Sequence, residues 1–599
     1  MIQNWTSVCV RCHGPDEKGT KTEGRAFFHN EYQLRSTLLF CFSRRFDFSC
    51  LNIVSWFHSG YSTFTASGIA LESGLVVTSA SLLRPFLQDK LSSYGEMVLC
   101  PNSGVDVLFE SNINDDGIET WITADLVAVV EAEGMLSSIR RLTGHDASAW
   151  IFGWENNKGQ LGTDMNSIHR FSLRNVGISG LAILRLQPTP DSSPALENQA
   201  PLSDRYPSQL SVPSIGKRLT LHGSGFGLIA PSVLINNISQ GVAANIIHPH
   251  RAARRVDEQA NSLILTDAKF LPGMEGGAVS WDETGELAGL SMLPIRRRDG
   301  EPVDISLVIP VACIITAISP YITLPQQPLQ PKHMASLNST ALMHARQAVV
   351  MVQVGQTWAS GVVISKNGHI LTNAHVFTSF LDNISNRTWP NLRSGVSLRV
   401  RIDSPQQQQW VDECELIFVS ESCWDVALIK IPETCVLNGF LPFLPLRTKD
   451  DISRTKPVVR GMPLFAIGHG IFGPSSGILP LITSGICSKV VTYNNQPAML
   501  LSSVPVHRGN SGGVLVNTEG HFVGLVTGNG KTSTGRTITH LNFAIPIEAM
   551  TAAVNAYLAD EDRKWLDRLN TPPTRIDDIW SLRGVAPVWD PLGKVSSKL

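Results

Sequence analysis

The sequence predicts a mainly β protein with two related β-barrel domains in tandem. Short apolar runs rich in Val and Ile, such as Val349–Val354 and Phe522–Val526, are broken by Gly, Pro, Asn and Ser over most of the chain. Strand-length runs with frequent turns are typical of sandwiches and barrels. Helical periodicity is scarce, and one helix is predicted from about Ile547 to Asp562, directly after Pro546.

Four motifs occur twice in the same order, which predicts the tandem organisation. The first and second occurrences are Ala66–Leu71 and Ala359–Ile364, Ser179–Leu186 and Trp424–Ile431, Gly273–Val279 and Gly509–Leu515, and Leu307–Pro310 and Phe543–Pro546. A single match of this kind would be noise. Four collinear matches indicate two related domains.

A Pro/Gln-rich stretch, Leu324–Pro331, separates the two copies. Such a stretch is expected to be extended and not to pair in a sheet, which is typical of a linker. We therefore expect an N-terminal domain over 1–323, a linker over 324–343, a second domain over 344–560 and a C-terminal tail over 561–599.

Composition excludes several classes of protein. A chain of 599 residues is too long for one core. The net charge of -2 argues against nucleic acid or a membrane as a general partner. Ten cysteines without framework spacing indicate free thiols in a reducing compartment. Cys9-Val10-Arg11-Cys12-His13 matches a haem-attachment pattern, but no secretory signal precedes it, so no metal or other cofactor is predicted.

Three polar residues of the second copy occupy positions suited to nucleophilic catalysis. Ser511 lies in Gly509-Asn510-Ser511-Gly512-Gly513, whose glycines allow a tight turn that exposes the hydroxyl. His375 follows an apolar strand and is the candidate general base. Asp425 opens another apolar strand and is the candidate residue that orients His375. Each has an ordinary structural explanation when taken singly, but the order His, Asp, Ser favours a catalytic triad.

The glycine-rich turn also predicts an oxyanion hole, formed by the backbone N–H groups of Gly509 and Ser511. The same turn fits the Gly-x-Ser-x-Gly elbow of α/β-hydrolases, which requires a helix directly after the serine. The following residues, Val514–Leu525, have the pattern strand, turn, strand. This pattern disfavours the hydrolase elbow.

The motifs Thr372–Val376, Asp425–Leu428, Gly509–Gly513 and Leu541–Pro546 resemble those of the chymotrypsin-fold proteases of the Deg/HtrA type. The resemblance implies two tandem trypsin-like double β-barrel domains, of which the first is catalytically degenerate. Too few residues follow the second barrel for a PDZ domain. The chain ends in Ser597-Lys598-Leu599, which matches the tripeptide read by the peroxisomal import receptor. Together these features resemble the peroxisomal trypsin domain-containing proteases.

That resemblance implies a serine endopeptidase of the peroxisomal matrix, with His375, Asp425 and Ser511 as its triad. It also implies removal of N-terminal type 2 targeting presequences from imported matrix proteins, with cleavage after a cysteine. The partners expected are these precursor proteins and, through the tail, the import receptor, with a homodimer as a further candidate. The alternative is a matrix quality-control protease, or a chaperone-like or scaffold protein that keeps a protease fold.

The residues before the nucleophile bear on specificity. Pro505 stands six residues before Ser511, where a trypsin-type pocket has an acidic residue, and Val504 and Val506 flank it. Nothing there would attract Arg or Lys. A small uncharged side chain such as cysteine is compatible with this segment.

The first copy differs at all three catalytic positions. Ser81, Gly180 and Glu275 stand where the second copy has the histidine, aspartate and serine. None of the three can perform the corresponding role. We expect an inactive domain that binds substrate, stabilises the second copy, mediates dimerisation or shields the active barrel.

Overall fold

A computed structural model describes most of the protein. The described residues are 5–15, 26–28, 53–58, 61–88, 97–113, 119–144, 147–152, 178–188, 209–211, 213–225, 234–249, 261–322, 330–332, 337–382, 390–403, 408–436, 441–446, 457–531 and 537–581. The tripeptide Ser597–Leu599, expected to be a targeting signal, therefore lies outside the described residues.

The chain forms two compact units whose boundaries do not follow the sequence copies throughout. Unit one comprises Met1–Met343, Ile471–Ser484 and Ser533–Thr537. Unit two comprises His344–Gly470, Gly485–Thr532 and Ile538–Leu599. Two short stretches of the second copy thus belong to unit one.

Strands dominate the first copy. They are β1 Trp5–Pro15, β2 Ala26–Phe28, β3 Ile53–His58, β4 Tyr61–Leu71, β5 Leu75–Ser79, β6 Gly104–Leu108, β7 Ile122–Glu131, β8 Trp150–Phe152, β9 Gly180–Leu186, β10 Gln209–Ser211, β11 Arg218–Gly223, β12 Asn237–Ile247, β13 Leu263–Thr266, β14 Ala278–Trp281, β15 Leu287–Ser291, β16 Ile295–Arg297, β17 Ser306–Pro310 and β18 Gln330–Lys332. Its helices are α1 Met135–Thr143 and α2 Val311–Ile318, with 3-10 turns at Arg84–Phe86, Glu110–Asn112, Ala147–Ala149 and Ser319–Tyr321.

Two larger sheets form the first copy. One has the order β1-β6-β7-β9-β5-β4-β3-β2, and an additional pairing of β1 with β4 closes its first six strands into a ring. The other is the closed barrel β11-β12-β13-β17-β15-β14. The first copy therefore contains two closed sheets in succession.

The second copy repeats this order of elements. Its strands are β19 Val349–Val354, β20 Thr357–Val363, β21 His369–Thr372, β22 Leu398–Asp403, β23 Gln408–Val411, β24 Glu415–Val419, β25 Ala427–Lys430, β26 Pro463–Gly468, β27 Leu481–Tyr493, β28 Gln496–Ser502, β29 Val514–Asn517, β30 Phe522–Lys531 and β31 Thr537–Pro546. Its helices are α3 Leu337–Gln347, α4 Glu433–Val436, α5 Ile547–Asp560 and α6 Thr574–Trp580, with 3-10 helices at Ala374–Val376, Thr378–Phe380, Pro474–Ser476 and Arg563–Asn570.

The second copy also has two sheets. The first is a seven-stranded sheet of order β23-β22-β19-β20-β21-β25-β24, and the second is the closed barrel β26-β27-β28-β31-β30-β29. The mainly β fold with tandem pairs of barrel-like sheets is confirmed. None of the helices in the described ranges has the length and apolarity that a membrane crossing requires.

Burial explains the continuous apolar runs of the sequence. Strands β5, β13, β17 and β19 are buried at every residue. A strand covered on both faces needs apolar side chains in both directions, so alternation is lost. These runs therefore predicted strands correctly although they lack a two-residue period.

Equivalent hydrogen bonds relate the two copies residue by residue. In the first copy, Ser67 donates its N–H to the carbonyl of Glu275 (2.9 Å) and its hydroxyl to the carbonyl of Gly273 (2.7 Å). In the second, Ser360 donates its N–H to Ser511 (2.8 Å) and its hydroxyl to Gly509 (2.7 Å). The strand serine of each Ala-Ser-Gly motif thus holds the corresponding turn.

The glycine that follows each turn position has the same constraint in both copies. Gly276 has a φ of +82°, and a Cβ there would lie 2.3 Å from the carbonyl oxygen of Ser67. Gly512 has a φ of +79°, and a Cβ there would lie 2.2 Å from the carbonyl oxygen of Ser360. Only glycine combines this backbone conformation with such close approach.

One expectation at a domain border was wrong. Gln330–Lys332 pairs in parallel with Gln209–Ser211, although the Pro/Gln-rich stretch was not expected to pair. Proline removes only its own donor, so a short edge pairing can use the groups of its neighbours. The segment expected as a tail is helical over Arg563–Asn570 and Thr574–Trp580. The predicted helix near the end of the second copy is confirmed as Ile547–Asp560.

The segment Ile471–Ser484 contributes to the core of unit one. Ile471, Phe472, Ile478 and Leu481 are buried in its largest apolar cluster. The ring of Phe472 stacks on Trp150 at 5.1 Å between centroids. Burial of large side chains stabilises at about 25 cal/mol per Å² of apolar surface, so the segment is an integral part of this core.

A buried carboxylate joins the end of that segment to the first-copy barrel. Asp267 accepts the N–H of Val242 (2.6 Å) and both the N–H and the hydroxyl of Ser484. Burial raises the pKa of Asp267 to about 6, and the hydrogen bonds only partly offset this. The charged carboxylate is therefore less favourable in the folded protein than in the unfolded chain.

The raised pKa of Asp267 predicts a pH dependence of stability. Since folded Asp267 holds its proton more tightly than unfolded Asp267, the free energy of unfolding of unit one should fall as pH rises from below about 4 to above about 6. The loss is about 3 kcal/mol. Thermal unfolding across this pH range measures it, and Asp267→Asn should remove this part of the slope. Parallel profiles for the two proteins would contradict the raised pKa.

Candidate active site

His375 and Asp425 are brought together by the pairing of two strands. Strand β21 pairs antiparallel with β25, with Thr372 opposite Ala427. His375 follows the end of β21 and Asp425 precedes the start of β25, so both lie at the same edge of the sheet. Their Nδ1 and Oδ2 atoms are 2.8 Å apart.

A second hydrogen bond fixes the relative orientation of this pair. The backbone N–H of His375 donates to Oδ1 of Asp425 at 2.8 Å. The side chain of Asp425 is 18% exposed, whereas that of His375 is 48% exposed. The two carboxylate oxygens of Asp425 therefore bind the backbone and the ring of His375, while about half of the His375 side chain is exposed.

Asp425 has a left-handed backbone conformation with a φ of +49°. Its carbonyl accepts the N–H of Ala374 (3.1 Å) and the side-chain amide of Asn373 (2.9 Å). A non-glycine residue in this region costs about 1–3 kcal/mol and persists only where its surroundings hold it. Such strain is typical of functional positions.

Ser511 lies in a turn held by local hydrogen bonds. The N–H of Asn510 donates to the carbonyl of His507 (2.9 Å), and that of Gly513 donates to Asn510 (2.8 Å). The hydroxyl of Ser511 donates to the carbonyl of Thr527 at 3.0 Å and not to His375. Asp425 and His375 are thus hydrogen-bonded to each other, whereas the Ser511 hydroxyl is bonded to Thr527 instead of His375.

Two backbone N–H groups of this turn have no hydrogen-bond acceptor among the described residues. The N–H groups of Gly509 and Ser511 make no hydrogen bond to another residue within the described ranges. Gly509 has a φ of +91°, which glycine adopts without cost. These two donors belong to the residues expected to form the oxyanion hole.

A buried pair of opposite charges, Arg401 and Asp403, lies beside His469, which is linked to the turn through Ser360. His469 donates its N–H to the hydroxyl of Ser360, which in turn donates to Gly509. The Nη2 of Arg401 donates to Asp403 at 3.1 Å, and Nε2 of His469 is 3.3 Å from the same carboxylate. Burial, with the charges of Arg401 and a second arginine, holds the pKa of His469 well below its usual value. His469 is therefore neutral here.

The segment expected to border the substrate pocket is anchored by amide side chains. Val504 and Val506 are buried. Asn542 donates its side-chain N–H to the carbonyl of Val504 (2.5 Å), and Asn529 donates to that of Val506 (2.8 Å). Both carbonyls are thus bonded to neutral amide groups.

The first copy presents its counterpart residues on the same scaffold. Ala80 donates to the carbonyl of Gly180 (2.9 Å), as Ala374 does to Asp425, which supports the alignment of these positions. The hydroxyls of Ser81 and Ser79 are hydrogen-bonded to each other at 2.7 Å. No base and no orienting carboxylate is therefore supplied by these positions.

Glu275 occupies the position in the first copy that corresponds to Ser511, and its side chain is hydrogen-bonded within its own loop. Its Oε2 accepts the N–H of Gly273 at 2.9 Å, and the residue is 5% exposed. Gly273 corresponds to Gly509, whose N–H is unspent in the second copy. The carboxylate of Glu275 thus satisfies the donor that would otherwise face an oxyanion.

Sequence reasoning missed several residues that shape this site. Ser360 and Ser67 were noticed as a repeated motif, but their role in holding the turns needed the hydrogen bonds. Thr527 carried no signal, because it acts through its backbone carbonyl. Among the described residues, no three His, Cys, Asp or Glu side chains are grouped as a metal ion requires.

Comparisons with known proteins support the similarity to proteases. A family model described as "Trypsin-like peptidase domain" matches residues 359–525. A "Peroxisomal leader peptide-processing protease" from Homo sapiens is 28% identical over 485 residues, which cover 78% of this chain and 76% of that protein. The protein of the same name from Mus musculus is 28% identical over 427 residues, covering 67% and 65%. "Serine endoprotease DegS" from Salmonella typhimurium is 29% identical over 230 residues, covering 38% and 52%.

The bond from Gly273 to Glu275 predicts a structural effect without a catalytic one. Glu275→Ala leaves a buried N–H without its acceptor and should destabilise unit one by about 1–2 kcal/mol. Peptide hydrolysis should stay within about twofold of the wild type, because Glu275 is remote in sequence from the candidate triad and lies in the other copy. Differential scanning calorimetry and a peptidase assay measure the two effects.

Glu275→Gln is the matched control, since it keeps an acceptor oxygen for Gly273. It should restore most of the lost stability. A loss of hydrolysis in Glu275→Ala comparable to that of a nucleophile variant would contradict the inactive-domain interpretation.

Proposed function

We propose that this chain is a peroxisomal serine endopeptidase of the trypsin-like Deg/HtrA type that removes N-terminal type 2 targeting presequences from imported matrix proteins, cleaving after a cysteine. Two relatives named as peroxisomal leader peptide-processing proteases support this substrate class. The proposal rests on one observation above the others, the double hydrogen bond between Asp425 and His375.

Asp425 is proposed to act by holding the imidazole of His375 in one tautomer. With Nδ1–H donating to the carboxylate, Nε2 carries the lone pair that a general base needs. The ionised carboxylate also stabilises the imidazolium that forms when the base takes a proton. Removal of such a carboxylate costs about 10⁴-fold in kcat.

Acylation requires a small rearrangement of Ser511. Its hydroxyl leaves the carbonyl of Thr527 and turns towards Nε2 of His375, since catalytic hydrogen bonds often form only with substrate bound. The Ser511 oxygen attacks the carbonyl carbon of the scissile bond while His375 takes the hydroxyl proton. His375 then gives that proton to the leaving amine, and the presequence stays bound to Ser511 as an ester.

The negative charge on the carbonyl oxygen is stabilised by backbone donors. Gly509 and Ser511 supply two unspent N–H groups from one turn, and each such donor contributes about 2.7–4 kcal/mol in comparable sites. Deacylation runs the same steps with water as the nucleophile. His375 takes a proton from the water, and Ser511 leaves with its proton restored.

The environment of Pro505 supports a small uncharged side chain before the cleaved bond. Val504 and Val506 are buried beside it, and the carbonyls of both are capped by asparagine amides. An arginine or lysine would be buried without a counter-charge, which is costly. Cysteine meets these conditions and agrees with the specificity implied by the resemblance.

The nucleophile is tested by Ser511→Ala in a precursor-processing assay. The variant should lose about 10⁶-fold in kcat, because no other hydroxyl takes its place. Purified protein is incubated with presequence-bearing matrix precursors, and the new N-termini are sequenced. Cleavage by Ser511→Ala at the wild-type rate would refute the assignment.

Substrate variants test the cleavage site separately from the nucleophile. Changing the proposed cysteine before the cleaved bond to arginine should abolish processing, whereas alanine should retain part of it. If Ser511 is required but precursors are cut at many positions, the protein is a quality-control protease. If Ser511→Ala binds unfolded matrix proteins and no precursor is cut by the wild type, the chaperone-like alternative is supported.

We also propose that Ser597-Lys598-Leu599 binds the import receptor. Deletion of Leu599 from a fluorescently tagged protein should leave it in the cytosol, since the receptor recognises the tripeptide and its terminal carboxylate. Val595→Ala, two residues before the tripeptide, is the matched control and should not alter import. Unchanged peroxisomal import after the deletion would count against the signal.

A further inference from the structure

The chain continues beyond α5 into a second helical segment. Residues Arg563–Ser581, here called the C-terminal clamp, comprise the 3-10 helix Arg563–Asn570 and helix α6. Leu566, Leu569 and Ile576 of the clamp are buried. The clamp is therefore packed onto unit two as a fixed element.

The clamp is hydrogen-bonded to Ser420–Trp424, the loop that leads into Asp425. The hydroxyl of Ser422 donates to the carbonyl of Leu569 at 2.6 Å. The N–H of Glu421 donates to the side-chain oxygen of Asn570 at 3.0 Å. Two successive loop residues are thus bonded to two successive clamp residues.

The second half of the loop is held by α6. Trp424 is buried and meets Trp580 edge to face, with 6.4 Å between ring centroids. The carboxylate of Asp577 lies beside Cys423, and burial together with that carboxylate raises the pKa of the Cys423 thiol to about 12. Every residue from Glu421 to Trp424 therefore has a contact with the clamp.

Helix α6 also contacts the barrel that carries the nucleophile. The indole N–H of Trp580 donates to the carbonyl of Ala498 in β28 at 3.1 Å. One indole ring therefore touches Trp424, directly before the candidate orienting aspartate, and a strand of the barrel that includes Ser511. This places the clamp across both sheets of the second copy.

The carbonyl and carboxylate of Asp425 are bonded to Asn373–His375, but the backbone on its N-terminal side is held more weakly. Asp425 has a strained φ of +49°, and its own N–H makes only a long hydrogen bond, 3.4 Å, to the carbonyl of Ser422. The Ser422 hydroxyl that donates to Leu569 also accepts the N–H of Trp424 at 3.2 Å. The clamp is thereby linked through Ser422 to the residue before Asp425.

We propose that the C-terminal clamp positions Asp425, and through it His375, with Ser422 and Trp580 as positioning residues. A strained residue keeps its conformation only where the structure around it over-determines it. Relaxation of the loop would move the carboxylate away from Nδ1 of His375. Misplacement of a catalytic group by about 1 Å can cost about 100-fold in rate.

The test compares Ser422→Ala and Trp580→Ala in the full-length protein with Trp565→Ala as the matched control. Trp565 is in the same clamp, but it bonds to Asp560 and stacks on Arg568 rather than on the loop. The probe is an alkyl fluorophosphonate, which needs no peptide recognition. The Ser511 oxygen displaces fluoride from phosphorus while His375 accepts the serine proton, so the labelling rate reports the triad alone.

Both loop-contact variants should label at least about tenfold more slowly than wild type, whereas Trp565→Ala stays within about twofold. On a peptide substrate, kcat should fall with KM unchanged, because the proposed role of the clamp is to position the triad and not to bind substrate. The downfield proton resonance of the His375 ring N–H should weaken or shift in the variants. These readouts are independent of the proposed presequence substrate.

A merely structural clamp gives a different pattern. Thermal unfolding of each variant is measured alongside, and Ser422→Ala guards against misfolding of the larger Trp580 change. Lower melting temperatures with wild-type labelling rates and an unchanged His375 resonance would overturn the proposal. Equal slowing by Trp565→Ala would also overturn it, since that change does not touch the loop.

Discussion

One strand serine in each copy holds the turn on which the candidate chemistry depends. Ser360 donates its N–H and its hydroxyl to the carbonyls of Ser511 and Gly509, and the same hydroxyl accepts the N–H of His469. In the same turn, the N–H groups of Gly509 and Ser511 have no acceptor among the described residues. Because Ser360 belongs to one sheet and the turn to the other, this contact also ties the two sheets of the copy together.

The first copy keeps the same hydrogen-bonded turn although it lacks the candidate catalytic side chains. Ser67 makes the equivalent bonds, and Gly276 meets the same steric demand as Gly512. The carboxylate of Glu275 accepts the N–H of Gly273, whereas the N–H of the corresponding Gly509 has no acceptor among the described residues. The turns of both copies are therefore held by equivalent backbone contacts, although the candidate catalytic side chains differ between the copies.

Much of the fold could be predicted because its signals are local. Apolar strands such as β19 and the helix after Pro546 follow from hydrophobic runs and a helix-start signal. The order of the candidate triad followed from motifs beside strand ends. The hydroxyl contact of Ser511 with Thr527 could not be predicted, because a backbone carbonyl has the same chemistry in every residue. The pairing of Gln330–Lys332 was missed because composition alone does not exclude a short edge contact.

The sequence by itself determined the strands, the repeat and the residues that can act as nucleophile, base and orienting acid, since these depend on side-chain chemistry and local spacing. Tertiary structure alone decided that Ile471–Ser484 belongs to unit one and that Arg563–Ser581 grips the loop before Asp425. The physical reason is that burial and hydrogen-bond partners are contributed by residues distant along the chain. No local pattern in Ser420–Trp424 specifies which segment will cover it.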